Sequence, residues 1–289
     1  MILRDLIAES AEKLKRAGVP DPEYDARELY LRASGDTLSD YAGKLSEEVP
    51  EKCRETFMEM TGRRAARIPL QQITGLAPFY GREFHVNEDV LIPRFDTETL
   101  VEAALLKLQK AKERAGERTL RILDLCTGSG CILITLLLEG PEGTEGVGSD
   151  ISDGALRISM LNAKRLSAKK ASFIKSDLFC EIHGTYDLIT ANPPYIRTCD
   201  IEGLDEEVKD HEPYLSLDGG ADGLSFYRRI VSEAGAHLRG GGCLALEIGC
   251  TQSEEVRAMM EEAGFSDIEV KTDLAGLRRA VLGEYGHVG

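Results

Sequence analysis

Through the first 66 positions, apolar residues recur at helical spacing. In MILRDLIAESAEKLKR, Leu3, Leu6, Ile7 and Leu14 fall on one helical face, which predicts a helix over 2–17 ended by Gly18 and Pro20. Further helices are expected at 22–33, stopped by Ser34-Gly35, at 38–46 and at 50–66. Residues 1–75 therefore read as a small helical-bundle domain. From Phe79 to Ile92 the texture changes. FYGREFHVNEDVLI holds two short aromatic or β-branched runs around the turn formers Asn87-Glu88-Asp89, which predicts a β-hairpin linker within 76–95. Asp96 or Thr97 can cap the next helix, in which Leu100, Val101, Ala104, Leu105 and Leu108 form one apolar stripe.

A second domain, 96–289, then alternates strand and helix. Strands are expected at LRILDL (120–125), GVGSD (146–150), ASFIKSD (171–177), YDLITA (186–191) and 242–248. Helices are expected in CILITLLLE, in GALRISMLNAKRL, near 223–238 and at 251–263, with IEVKTD and RRAVLGEY as a terminal hairpin. Such alternation predicts an α/β fold with a mostly parallel sheet covered by helices on both faces. Ligands in such sheets bind beyond the carboxyl ends of the strands, where strand order reverses.

Length and composition narrow the class. At 289 residues the chain is long enough for two domains, and its longest apolar run, Cys131 to Leu138, is too short to span a bilayer. The first residues lack the basic and continuously apolar stretches of a secretory leader, so a cytoplasmic location is expected. Seven cysteines, odd in number and scattered, make neither a disulfide framework nor a zinc pattern. The histidines, at 85, 183, 211, 237 and 287, are also far apart, so no metal site is expected. Net charge is −15, and it is uneven: residues 1–80 hold 12 Lys+Arg against 14 Asp+Glu, leaving 23 against 36, or −13, for the rest. That balance repels a phosphate backbone. The nearest thing to a basic patch, Arg63, Arg64 and Arg67, reads first as a solvated helix face.

The chemistry lies at the ends of the predicted strands. After the first comes LDLCTGSGC, where Gly128 and Gly130 allow positive φ and close backbone approach, and the next helix presents free N–H groups. The loop is similar to the D-x-G-x-G-x-G loop of S-adenosylmethionine-dependent methyltransferases, with Cys126 in place of the first glycine; an ordinary tight turn is the plainer reading. Asp150 closes the second strand, from which an acid can accept hydrogen bonds from ribose hydroxyls. Asp150, or Asp153, can instead cap the following helix. In SDLF, Asp177 can meet an adenine amino group with Leu178 packed on the ring, or can serve as a cap. The fourth strand ends in Asn192-Pro193-Pro194-Tyr195. Prolines cannot continue a ladder, so their carbonyls are left unpaired. A rigid turn is one meaning; a clamp for a planar amino group is the other. An amino group on an sp² carbon is a poor nucleophile, because its lone pair is delocalised. The Asn192 side-chain oxygen and the Pro193 carbonyl can hold its two N–H bonds out of plane, while Tyr195 stacks on the group.

N-P-P-Y after strand four, preceded by the glycine loop, resembles the amino-methyltransferases that act on adenine in DNA, guanine in ribosomal RNA or glutamine in protein. PLQQITGLAPFYGREFHVNEDVLIPR (69–94), TETLVE (97–102), HEPYLSLDGGADGLSFYRRI (211–230) and LALEIGCTQ (244–252) extend the resemblance to the HemK-type protein-(glutamine-N5) methyltransferases. These methylate the glutamine of the Gly-Gly-Gln loop in peptide chain release factors. The resemblance implies a Rossmann-like methyltransferase domain with a seven-stranded sheet and a helical bundle that grips the release factor. It implies S-adenosylmethionine as cofactor, contacted by Cys126, Thr127, Gly128, Ser129, Gly130, Asp150, Leu178 and Asn192, with Asn192 to Tyr195 receiving the glutamine. Phe95-Asp96 stands where the family usually has Pro-Glu, and Leu178 where some members carry Trp. A monomer with no membrane or direct nucleic-acid partner is expected. Arg94 and Glu98 read either as an ion pair at a helix start or as substrate contacts.

Three readings are weighed: glutamine methylation of a release factor, methylation of an exocyclic amine in nucleic acid, and a nucleotide-binding scaffold with a dead site. The acidic second domain disfavours nucleic acid. Survival of both the glycine loop and N-P-P-Y disfavours a dead site.

Overall fold

The computed structural model describes residues 1–286, so His287 lies outside the described residues. The chain divides into two compact units: Met1–Leu76 with Asp205–His211, and Ala77–Leu204 with Glu212–Gly289.

The first unit holds α1 (Leu3–Arg16), α2 (Pro22–Ser34), α3 (Leu38–Lys44), α4 (Glu51–Ala65) and α5 (Leu70–Thr74). Local chemistry sets the boundaries. Helix α2 begins with Pro22 at its first position and ends on Gly35 at φ +74°, and Thr37 and Asp40 form a capping box on α3. Leu3 and Leu6 of α1, Leu29 and Tyr30 of α2, Phe57 of α4 and Ile73 of α5 make its core. Each such buried side chain contributes about 1.5–3 kcal/mol.

The basic trio departs from expectation. Only Arg63 is exposed; Arg64 is buried and Arg67 half-buried. Arg64 Nε donates to Asp25 at 2.6 Å and its Nη2 to Glu207 at 2.9 Å, while Arg67 Nε donates to the same Glu207 oxygen at 2.7 Å. The spacing that looked like a solvated face holds residues 205–211 instead. Sequence pattern cannot see this partner, which lies about 140 residues further along the chain.

The second unit opens with β1 (Leu76–Phe79) and β2 (Arg82–His85), a two-stranded sheet. The hairpin turns at Tyr80 and Gly81, with φ +48° and +71°, not at Asn87-Glu88-Asp89. Two successive positive φ values match the right-handed twist of the flanking strands, and that outweighs the polar composition of the later segment. Then follow α6 (Glu98–Ala115), β3 (Arg121–Leu125), α7 (Cys131–Glu139), β4 (Glu145–Asp150), α8 (Asp153–Arg165), β5 (Ala171–Lys175) and β6 (Tyr186–Ala191), after which α9 (Glu206–Lys209) belongs to the first unit. The chain closes with α10 (Ser225–His237), β7 (Leu238–Glu247), α11 (Ser253–Glu262), β8 (Phe265–Thr272) and β9 (Arg278–Tyr285).

Strand order in the seven-stranded sheet is β5-β4-β3-β6-β7-β9-β8. All neighbours are parallel except β9, which runs antiparallel to β7 and β8. The pleat sorts the strands by period two. Ile122, Leu188, Cys243 and Ala245 face one core with α6 and α7, while Leu123, Leu125, Ile189, Leu244 and Leu246 face the other with α10 and α11. Strand order reverses between β3 and β6, so the loops after these two strands meet at one edge of the crevice. Neither Asp96 nor Thr97 caps α6 with its side chain. Asp96 pairs with Arg279 at 2.7 Å, and Thr97 turns inward.

Candidate active site

Beyond β3 the loop Cys126–Gly130 takes a left-handed course, with φ +53° at Cys126, +53° at Gly128 and +80° at Gly130. A Cβ on Gly130 would lie 3.0 Å from Ile134 and 3.1 Å from Ser159, so glycine is required there by both conformation and space. Cys126 adopts the same conformation with a side chain, at a strain of about 1–2 kcal/mol. Three side chains pin this loop. Asp124, fully buried in β3, accepts from the Thr127 hydroxyl at 2.6 Å and the Thr190 hydroxyl at 2.7 Å, and burial raises its carboxyl to about 6. Asp150 Oδ2 accepts from Gly128 N–H at 2.9 Å. Asn162 of α8 donates to the Ser129 carbonyl at 2.9 Å and exchanges hydrogen bonds with the His85 backbone.

Asp150 does not cap α8. Ser152 does, accepting from Ala155 N–H at 3.2 Å, while Asp150 Oδ1 accepts from Ser152 N–H. Asp153 lies in the first turn and pairs with Lys175. Burial, opposed by those backbone hydrogen bonds, leaves the Asp150 carboxyl raised. Asp177 lines the same cavity but is paired with Arg229 at 2.9 Å, so an adenine amino group would have to share it. Leu178 is buried at φ +49° and lines the cavity.

Asn192, Pro194 and Thr97 reach this cavity of about 280 Å³, together with Cys126 to Ser129 and Asp150; Pro193 and Tyr195 do not line it. Pro193 is buried, and no described residue donates to its carbonyl. Behind N-P-P-Y runs the segment 217–223. Ile196 N–H donates to Leu217 O at 3.0 Å, Gly219 N–H returns to Ile196 O at 2.8 Å, and a Cβ at Gly219 would meet Tyr195 Cα at 2.7 Å. The glycines of SLDGGADG thus let one backbone lie against another. Gln252 Nε2 donates to the Tyr195 carbonyl at 3.0 Å and the Gly223 carbonyl at 3.2 Å. The Tyr195 hydroxyl faces Glu247 Oε1 at 3.4 Å, and burial raises the phenol well above its ordinary range.

Arg94 and Glu98 are not partners. Arg94 Nη2 donates to both oxygens of Glu212, at 2.7 and 2.9 Å, and Glu98 accepts from Tyr80 N–H at 2.7 Å. Burial raises Glu212 to about 7 despite Arg94. Sequence reasoning also passed over Thr97, Asn162, Glu247 and Gln252 as working residues. Glu247 carried a signal: it is the one acid in the apolar run LALEIG, where a polar group must find a partner.

A doubly wound sheet with a left-handed loop, an acid at the end of β4 and N-P-P-Y at the end of β6, all at its switch point, defines an S-adenosylmethionine-dependent methyltransferase. The donor set fits that cofactor: Asp150 keeps lone pairs free towards ribose hydroxyls, and Leu178 offers an apolar surface to a base. Residues 96–205 match the methyltransferase small domain, and residues 5–75 match the PrmC N-terminal domain. The release factor glutamine methyltransferase of Agrobacterium fabrum is 39% identical over 96% of this chain and 95% of its own length. That of Rhodospirillum rubrum is 40% identical over 98% of this chain and 85% of its own. The catalytic domain of hMettl16 shares the fold at 14% identity, with a TM-score of 0.56 over 80% of this chain and 83% of that one. The chain belongs to the release factor glutamine methyltransferase family. No helix among the described residues is long and apolar enough to cross a membrane.

Proposed function

We propose that this chain methylates the side-chain amide nitrogen of a glutamine in a peptide chain release factor, in its Gly-Gly-Gln loop. The observation that carries this reading is Asn192, which stands at the end of β6 in one cavity with Asp150 and the glycine loop. S-adenosylmethionine supplies an electrophilic methyl group, and its transfer leaves S-adenosylhomocysteine. Asn192 Oδ1 and the Pro193 carbonyl accept the two amide N–H bonds and turn the nitrogen lone pair toward that methyl. Tyr195, held by Gln252 through its carbonyl and by Glu247 through its hydroxyl, fixes the amide plane. As the N–C bond forms, nitrogen becomes strongly acidic, so one proton leaves to water and no strong base is needed. Positioning of this kind supplies several kcal/mol of barrier lowering. The helical unit takes the part of gripping the release factor.

Methylation of an exocyclic amine in nucleic acid is the competing use of the same clamp. The two separate in a transfer assay with labelled methyl donor. Label is expected in a release factor, and none in the same factor with its Gly-Gly-Gln glutamine changed to alanine. Label entering duplex DNA while the release factor stays unlabelled overturns the proposal.

A further inference from the structure

The loop that joins β8 to β9 reads DLAGL, residues 273–277. Its polar work is done by two residues. The Asp273 carboxylate accepts from Ala275 N–H and Leu277 N–H, both at 2.9 Å, and Gly276 takes the positive φ of +80°. The side chains of Leu274 and Leu277 serve neither the turn nor the core: Leu274 is 109% exposed and Leu277 45%. Topology sets where this tip stands. Strand β9 runs antiparallel to β7, with Ala280 opposite Glu247 at the carboxyl end of β7, and β7 is parallel to β6, which ends in N-P-P-Y. The tip therefore projects at the end of the sheet where the cavity opens.

One guanidinium ties the tip to the cavity mouth. Arg279 Nε donates to Asp273 at 2.8 Å, and its Nη2 pairs with Asp96 at 2.7 Å. Asp96 follows Phe95, which is 70% exposed, and the residues on either side of this pair, Arg94 and Thr97, both line the cavity. A single exposed apolar side chain is ordinary on a protein surface. Three gathered around one ion-paired arginine, beside the cavity that holds Asn192, mark an interaction surface. Charge narrows the partner. Two carboxylates share one guanidinium, so the surface is apolar with a net negative charge, and a phosphate backbone would be repelled there. We propose that Phe95, Leu274 and Leu277 form a shelf on which the protein substrate docks, covering them with apolar side chains next to its glutamine while the glutamine enters the cavity. Arg279 is the positioning residue of the shelf, since it holds Asp96 and Asp273 together.

This inference rests on the reading of a release factor as substrate, and the experiment separates the two. Leu274→Ser combined with Leu277→Ser removes one half of the shelf, and Phe95→Ser the other. Leu106→Ser, at an exposed position of α6, controls for lost surface apolarity in general. With S-adenosylmethionine saturating, each shelf variant is expected to raise KM and Kd for the release factor about tenfold or more, while kcat stays within about threefold and cofactor Kd is unchanged. Leu106→Ser is expected to match the parent. Unchanged KM and Kd for the release factor in either shelf variant overturns the inference, as does a loss confined to kcat, or an equal rise in Leu106→Ser. Failure of the parent itself to label the release factor takes down the underlying reading of the substrate instead. Thermal unfolding of each variant, run alongside, shows that the losses are measured on folded protein.

Discussion

In the proposed clamp, removing the Asn192 amide leaves the substrate N–H bonds one acceptor short, while Asp150 and the glycine loop, the proposed cofactor contacts, stay in place. Asn192→Ala is therefore expected to lose methyl transfer by about 10²-fold or more, with cofactor affinity kept within about an order of magnitude. Single-turnover rates and a binding titration check the two halves separately; a large loss of cofactor affinity would mean that Asn192 holds the donor and not the acceptor. At this scale the residue types were legible. N-P-P-Y and the glycines stand in fixed order after predicted strands, and stereochemistry restricts what each can do. The partners were not legible. Arg94 reaches Glu212, which is 118 positions away, and Arg64 reaches Glu207 across 143.

Between elements, Asn162 is the fastener. From α8 it holds the Ser129 carbonyl in the loop after β3 and both backbone groups of His85 in β2. Asn162→Ala leaves these buried groups without their partner, at a cost of about 2–4 kcal/mol. A lowered unfolding midpoint is expected together with roughly tenfold weaker cofactor binding, because the loop loses a support. If stability falls while affinity stays constant, α8 is a structural neighbour of the loop and does not shape it. Long periodic elements such as α1, β6 and α10 were readable from their pattern. The hairpin turn at Tyr80-Gly81 was missed because FYGRE carries one glycine, whereas the more polar NED drew the assignment. Short pieces such as α5 and α9 carry too few residues for a period to show.

For the molecule as a whole, two opposite pH dependences are built in. Burial raises Glu247 and Glu212 to about 7 and Asp124 to about 6, above their ordinary values. Between the ordinary and the raised values these three carboxyls hold more protons in the folded chain than in the unfolded one. Their contribution to stability is fullest below the ordinary carboxylate range and is lost as pH rises through about 7. Glu207, held by Arg67 and Arg64 against the cost of its burial, is lowered to about 2. Its contribution to the first unit is present above the ordinary range and is lost as pH falls toward 2. Glu247→Gln removes one of the raised groups, so it is expected to gain on the parent between pH 5 and 8 by up to the order of 3 kcal/mol. Denaturant midpoints at the two pH values test this; parallel pH slopes for parent and variant would show that Glu247 does not ionise in that range.

The class of chemistry, the α/β architecture and the order of its parts were determined by the sequence, because periodicity, glycine and proline act locally and each residue carries that information alone. Tertiary structure decided which of two open roles a residue takes. Asp150 supports the glycine loop while Ser152 caps α8, Thr97 turns from the helix start toward Asn192, and two arginines that spacing placed on a solvated face close on Glu207. A donor or acceptor is satisfied by whatever folding brings within about 3 Å, and for Asp150, Thr97 and the two arginines that neighbour comes from elsewhere along the chain.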